Sequence, residues 1–548
     1  MDPCLTQNVP VEIPLWRPYS ALPPIKGYSE VSSITPILSK FLGGDVLKEG
    51  QLNSETLFGR LVYFSGSGEC QVQTTDKKKH KSYCKVTHLL DPVRTIQNFY
   101  SNSEKGVKRM STKLSNPMNQ AYIDYLANYL LGQLREKKVS PHFCTFYGGF
   151  KAIADTYRYN ITEDFQSYRK YKDFWKRRAD GLFKLHIEKE DFSDSESEGQ
   201  LSKEDLKYFS TPKSSLRSSP FSYNTSDDKS TASHTSLTHN QESADVLVEL
   251  ESVGSFKSAS THKESTDSND EETDNMYSVY VELDKYPVML IFQEVADGVL
   301  DDLLDDDDAV DEERGSPEWE EMWFSWTFQV VAALSVAQSI LGFTHNDLHT
   351  NNIVWKSTDE PFLYYKSRDG TMWKVPTYGK IMRIIDFGRS VFRVGEKWFI
   401  SDDYEVGGDA AGQYNFGPAA VPEKPTIYPN PSFDLCRYSV SIIEALFPVQ
   451  PTEKENGSVL SKEGDWIVRE TKSPLWNLLW SWLLDDKGHN VLNAEDGREK
   501  FPDFDLYQHI AEHVFKIKPH EQLRNPAFDI FKTKETPGDW ETVYPLFA

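Results

Sequence analysis

The most constraining feature of this sequence is a long apolar helical pattern that runs straight into a loop rich in His, Asn and Asp. Ser316-Pro317-Glu318-Trp319-Glu320 opens the helix, with Ser as N-cap and Pro in the first turn. Its apolar positions continue to Phe343, long enough for a central buried helix. Residues 345–355 follow, His-Asn-Asp-Leu-His-Thr-Asn-Asn-Ile-Val-Trp, and place Asp347 five positions before Asn352. Further on, Ile384-Ile385-Asp386-Phe387-Gly388-Arg389 supplies a second carboxylate just after a β-type run.

Composition narrows the setting. A chain of 548 residues with 38% hydrophobic and 13% aromatic content has enough apolar side chains for a large core in more than one lobe or domain. Its formal charge of -24 argues against general nucleic-acid affinity, which needs a basic surface. The five cysteines (Cys4, Cys70, Cys84, Cys144, Cys436) are scattered and form no CxxC, so neither a disulfide framework nor a zinc site is expected. A reduced, cytoplasmic setting follows. The N-terminus lacks a basic n-region and an apolar h-region, so no cleaved leader is expected. No run of 18 consecutive apolar residues occurs, so no membrane span is expected.

Taken in order, residues 1–50 are Pro-rich and then carry a short helical pattern near Ile37 to Leu42. They read as an extension that packs on the body. Three strands follow: residues 57–64, residues 69–74 and residues 83–87, with glycines at the first turn and a basic turn at Lys77 to Lys81. Residues 118–138 look helical, with Ala121, Leu126, Tyr129, Leu130 and Leu134 near one face and Ser140-Pro141-His142 ending the run. Residues 192–275 are dominated by Ser, Thr, Asp and Glu, too polar to offset their ordering entropy, and are expected to be disordered. Tyr286 to Phe292 restores a buried-strand pattern, so the tract interrupts one folded unit. Asp369-Gly370 between apolar runs signals a hairpin, and the last third reads as mainly helical at 434–446, 474–484 and 506–515.

The acid–amide–acid order is what metal-assisted phosphoryl transfer needs. Here the chain resembles the protein-kinase-like superfamily. His345-Asn346-Asp347-Leu348-His349-Thr350-Asn351-Asn352 stands where HRDLKxxN would, and Asp386-Phe387-Gly388 where DFG would. The stretch from Tyr378 to Arg389, with Ser140-Pro141-His142-Phe143, is similar to divergent serine/threonine kinases of large DNA viruses. The resemblance covers roughly residues 55–155 and 276–535. It implies an α+β, two-lobed protein-kinase-like fold with a small β-rich N-lobe and a mainly helical C-lobe. The expected division is an extension over 1–50, the first N-lobe part over 51–190, the disordered acidic Ser-rich insertion over 191–275, the last N-lobe strands and hinge over 276–296, and the C-lobe over 297–548.

The resemblance also implies roles. Asp347 is the candidate catalytic base or hydroxyl-orienting acceptor, and Asn352 and Asp386 are the candidate Mg²⁺ ligands. His345 would brace the loop, and Asp434 would brace it from the central helix of the large lobe. Lys85 is the candidate ATP-phosphate lysine, with Lys79 and Lys81 nearby as members of a solvated turn. Asp124 is its candidate partner, where the family usually has Glu; a plain surface acid is the competing reading. Gly66 and Gly68 would form a flap over the phosphates, with Gln71 where a third glycine is usual. Gln293 would be the gatekeeper, and the backbone of Glu294 and Ala296 would meet the adenine edge.

Two departures matter. Asn346 replaces the arginine that pairs with an activation-loop phosphate, which makes a non-RD type whose activation does not depend on loop phosphorylation in the usual way. His349, a candidate catalytic residue with Asp347 and Lys85, replaces the lysine that approaches the transferred phosphate; a histidine there can donate a hydrogen bond but carries full charge only when protonated. No Ala-Pro-Glu is visible near Gly407 to Tyr414. The implied partner is a protein substrate with a Ser/Thr hydroxyl. A rim of ten carboxylates between Asp297 and Glu313 suits a basic one, although a solvated acidic loop explains that run as well. A kinase-like small-molecule phosphotransferase and a pseudokinase scaffold are the rival readings. Neither nucleic acid nor membrane is expected as a partner, and nothing in the sequence sets the oligomeric state.

Overall fold

The computed structural model describes residues 25–32, 34, 58–64, 68–74, 77–189, 209, 277–305, 313–395, 397–405, 408–414, 429–494, 498–502, 504–538 and 541–547. The Ile37 helix, Gly66, the turn at residues 75–76 and nearly all of the acidic insertion lie outside the described residues.

One antiparallel sheet organises the first half. Its strands are β1 (Tyr28–Ser32), β2 (Phe58–Phe64), β3 (Glu69–Thr74), β4 (Lys79–His88), β5 (Phe146–Asn160), β6 (Lys184–Lys189) and β7 (Tyr277–Glu294). The order is β1-β5-β7-β4-β3-β2, with β6 also on β7. The meander β2-β3-β4 is as expected, except that Lys79 to Lys81 already belong to β4, which shortens the turn. The extension contributes an edge strand, because β1 pairs with β5 through Tyr28↔Ala154. Strands on both sides of the insertion share this sheet, so it interrupts one unit.

Between β4 and β7 come α1 (Pro92–Ile96), α2 (Glu104–Ser115), α3 (Gln120–Glu136), α4 (Thr162–Tyr168) and α5 (Lys172–Ala179). Caps fix the starts: Ser103 Oγ accepts from Gly106 N–H, and Asn119 Oδ1 accepts from Ala121 N–H. The sheet's alternation sorts its side chains to two cores. On β7, Val288, Leu290 and Phe292 join a cluster roofed by α4, α5 and Phe209. Met289 and Ile291 face α3 and the larger core.

The second half is built on α6 (Pro317–Leu341), capped by Ser316 Oγ and ended by Gly342 in the left-handed region at φ 58°. It is the one helix among the described residues long and apolar enough to cross a membrane, although no unbroken run signalled it; 89% of its most apolar window is buried inside the protein. It is therefore a core helix. Helices α7 (Phe433–Leu446), α8 (Pro474–Trp482) and α9 (Asp505–His513) match the expected segments within a few residues. This half is less helical than expected. It contains β8 (Gly298–Val299), β9 (Ile353–Ser357), β10 (Phe362–Ser367), β11 (Met372–Pro376), β12 (Lys380–Ile384), β13 (Val391–Val394), β14 (Lys397–Ile400), β15 (Val459–Glu463), β16 (Trp466–Arg469), β17 (Lys532–Thr533) and β18 (Val543–Leu546). The Asp369-Gly370 hairpin joins β10 and β11, and β18 returns to pair in parallel with β10.

Residues 140–143 tie the halves together. His142 Nδ1 lies 2.8 Å from Met382 O, and its Nε2 lies 2.7 Å from the Tyr365 hydroxyl. Ile384 N–H donates to His142 O at 3.0 Å. Burial depresses the His142 pKa from 6.5 to about 3. The unfolded chain takes up this proton first, so the stability is present above the unfolded value and is lost as the pH falls towards the folded one. From about pH 7 to about pH 4, wild type should lose about 3 kcal/mol more than His142→Gln in urea unfolding. Equal losses would show that the ring is not held neutral.

Candidate functional site

Alternation on β4 sends Cys84 to the outer core and Lys85 to the α3 face. Lys85 Nζ lies 2.6 Å from Asp124 Oδ2 and 2.8 Å from Asp386 Oδ1. Asp124 is 1% exposed, so it is no surface acid. Its Oδ1 accepts from Phe387 N–H and from Asn128 Nδ2, each at 2.9 Å. One carboxylate therefore joins β4, α3 and the segment after β12. A short side chain suffices because α3 lies close to the sheet. A Cβ on Gly149 of β5 would meet Leu290 O at 2.3 Å and the Tyr125 ring at 2.8 Å; one on Gly132 of α3 would meet Phe146 at 2.9 Å.

The charges support one another. Burial disfavours the Lys85 charge, but Asp124 and Asp386 outweigh it and hold its pKa above the usual value. Burial pushes the Asp386 carboxylate up, yet Lys85 overcomes this and lowers it from 3.8 to about 2. Burial raises Asp124; Lys85 opposes that and Asp386 adds to it. Two acids share one base, and Asp386 still leaves 48% of its side chain open to the cleft. Its backbone is left-handed at φ 64°, a conformation costing a non-glycine residue about 1 kcal/mol. Phe387, buried against the rings of Phe343 and His345, holds it there.

The loop after α6 is pinned from α7. Asp434 accepts from His345 N–H at 2.9 Å and from Asn346 N–H at 2.8 Å. His345 Nε2 reaches Ile385 O at 2.8 Å, and Ile385 N–H donates to Asn352 O at 3.0 Å. Asn346 is fully buried at φ 65°, with its amide on Arg389 O and its Oδ1 accepting from Tyr414. It is structural. Asn351 donates to Asp301, away from the Asn352 side of the loop.

Asp347 is held at both oxygens. Arg389 Nη1 lies 3.3 Å from Oδ2, and Tyr507 OH donates to Oδ1 at 3.1 Å. Burial raises the Asp347 pKa, but the Arg389 guanidinium, with Arg437 behind it, outweighs that and keeps the carboxylate ionised. Arg389 was visible in the sequence only as the residue directly after Asp386-Phe387-Gly388, with nothing to signal its contact with Asp347; Tyr507 and Arg437, whose Nε donates to Tyr507, had no signal.

Asn352 spends its NH₂ on Asp347 O at 2.8 Å and on His349 Nε2 at 3.1 Å. Its Oδ1 takes no part in either bond, and the Asn352 carbonyl accepts from Ile385 N–H in the segment that carries Asp386. Two protein oxygens suit a hard cation that keeps several waters; among the described residues no group of three His, Cys, Asp or Glu could hold a metal. Accepting from Asn352 makes His349 Nε2 unprotonated. Burial also lowers the His349 pKa, so the ring is neutral and does not present Nε2–H to a phosphate as the sequence suggested.

At the far end of β7, the Gln293 side chain is buried and the Gln293 carbonyl accepts from Ser82 Oγ. Glu294 N–H is committed to Thr145 O at 2.9 Å, which leaves only its carbonyl for a ligand. The Glu294 side chain pairs with Arg383 at 2.7 Å. Ala296 N–H makes no hydrogen bond among the described residues. Gly68 O accepts from Cys84 N–H, and a Cβ there would strike the Tyr83 ring at 2.7 Å. Of the acidic run, Asp297 binds Lys356 and Ser357 N–H, and Asp301 binds Thr350 and Asn351. Both are structural, which leaves less of that charge for steering.

Comparison with known protein families finds no match, and comparison with curated protein sequences finds none either.

Removing one partner of a buried charge cluster costs about 3 kcal/mol or more. Lys85→Met should therefore lower the stability measured by denaturant by about that amount, and adding Asp124→Asn should restore part of it. Simple addition of the two single losses would show that the pair is uncoupled.

Proposed function

We propose that this chain is an ATP- and Mg²⁺-dependent protein kinase of two-lobed, kinase-like architecture that phosphorylates Ser or Thr hydroxyls. The observation that carries this reading is the meeting of Lys85, Asp124 and Asp386 beside a loop that presents Asp347 and Asn352. Lys85 would hold the nucleotide phosphates, with Asp124 fixing its ammonium. The Ala296 N–H and the Glu294 carbonyl would meet the adenine edge. Asn352 Oδ1 and Asp386 would hold Mg²⁺, whose charge offsets that of the phosphates.

The substrate hydroxyl would hydrogen-bond to Asp347. Its oxygen forms the new bond to the γ-phosphorus, the bond to the β-phosphate oxygen breaks, and ADP leaves. The hydroxyl proton is lost to Asp347 or to solvent as that bond completes. Arg389 and Tyr507 keep Asp347 ionised and weakly basic, so its main contribution is orientation. The neutral His349 orients Asn352. The retained trio of Asp347, Asn352 and Asp386 weighs against a pseudokinase scaffold, which needs none of them.

The test is Mg²⁺-ATP turnover with generic basic proteins as acceptors. Asp386→Ala and Asp347→Ala should each lose about 100-fold or more in kcat. Equal turnover by wild type and Asp386→Ala would remove the metal assignment. Turnover of a small alcohol with no protein acceptor would favour the phosphotransferase reading. Arg389→Gln should lower kcat by about tenfold with little change in the KM for ATP, and should raise the lower pKa of the pH–rate profile. An unchanged profile would mean that Arg389 does not set the charge of Asp347.

A further inference from the structure

A second group of cations, distinct from Lys85, gathers on α1 and α2. Here a pocket of about 380 Å³ is lined by Arg94, Lys105, Lys108, Arg109 and Lys113. Four of these cations stand on one face of α2 at helical spacing, 105, 108, 109 and 113. Like charges at that spacing repel, by a few tenths of a kcal/mol for each pair. In a chain of net charge -24 such a cluster needs a reason.

The pocket's own acids, Asp402 and Glu405, account for Lys113 and lie near Arg94, which leaves Lys105 and Lys108 to be explained. Asp402 is already met by Lys113 at 2.7 Å, Asn116 Nδ2 at 3.1 Å and Gln120 N–H at 3.0 Å. Arg94 faces Asp91 at 3.4 Å. Lys105 and Lys108, both exposed, have no carboxylate partner among the described residues. Two guanidinium groups lie over the Phe99 ring, with Arg109 at 4.3 Å and Arg94 at 5.1 Å from its centre. The ring gathers both cations on the same wall as Lys105 and Lys108. Tyr100 adds a second ring to the wall.

We propose that this pocket docks a phosphoserine- or phosphothreonine-bearing peptide whose neighbouring residue is apolar. This rests on the reading that the chain phosphorylates proteins, and it makes segments that already carry phosphate its preferred substrates. Charge complementarity selects the anion, and the rings beside the cations select the apolar neighbour. The concave shape, with Asp402 and Glu405 on one side, disfavours the continuous polyanion of a nucleic acid or the flat face of a membrane. Asp402 and Glu405 also line the pocket, so the docked peptide would touch the segment that follows Asp386 in the chain.

The test is fluorescence anisotropy with the full chain, without ATP or Mg²⁺. The probes are a labelled neutral decapeptide containing Phe–phosphoserine and the same peptide with serine. The phosphopeptide should bind about tenfold or more tightly, and the Lys105→Glu/Lys108→Glu variant should remove the difference while keeping the wild-type Tm. Equal binding of both peptides, or an unaffected variant, would overturn the proposal. So would displacement of the phosphopeptide by anionic lipid vesicles or by a single-stranded oligonucleotide at lower concentration than by unlabelled phosphopeptide. Turnover on an unphosphorylated basic protein should be the same in both forms. Loss of all turnover with binding intact would count against phosphoryl transfer and leave the pocket standing.

Discussion

The arrangement depends on one ammonium held between two carboxylates. Lys85 comes from the sheet, Asp124 from α3, and Asp386 from the turn after β12. No two of these elements are adjacent in sequence. In water such a cluster would contribute little, since exposed ion pairs are worth about 1 kcal/mol at most. Here Asp124 is buried and receives two further hydrogen bonds, so its position fixes α3 relative to Phe387. Phe387 in turn packs on His345, and His345 on Ile385. A displacement of α3 would thus be felt at Asp347 through a chain of specific contacts.

Much of this was legible. The residue order from Ser316 to Arg389 specifies a capped helix, a loop, a hairpin and a strand, and each is present. The reason is local: Ser316, Gly342 and Asp369-Gly370 fix their own turns without help from distant residues. Lys85 was legible because alternation on a strand is a strong rule. Asp124 was less so, since a helix pattern cannot say how deep one polar residue sits.

The unread parts depend on distant contacts. Arg389 was visible as a letter, but its contact with Asp347 requires the left-handed turn at Asp386. Tyr507 reaches the same carboxylate from 160 positions away. His349 was read as a hydrogen-bond donor because it stands where the resemblance has a lysine; the Asn352 amide has two ends, and its nitrogen end occupies the imidazole. The extra strands of the second half escaped because β8, β13, β14 and β17 are each four residues or fewer, too short for a periodic signal.

The pairing of Lys189 with Tyr277 has a consequence for how this chain can change length. The acidic, Ser-rich stretch leaves and re-enters the sheet at two residues that are direct neighbours. Closing a loop between fixed points costs free energy only as the logarithm of its length, about 0.6 kcal/mol for each doubling. A change of length between these two neighbours therefore costs little in loop closure. Phe209, the described residue of that stretch, sits in the outer core against Phe165 and Tyr277. Removing that phenyl ring would cost core packing as well, which a change of length alone does not.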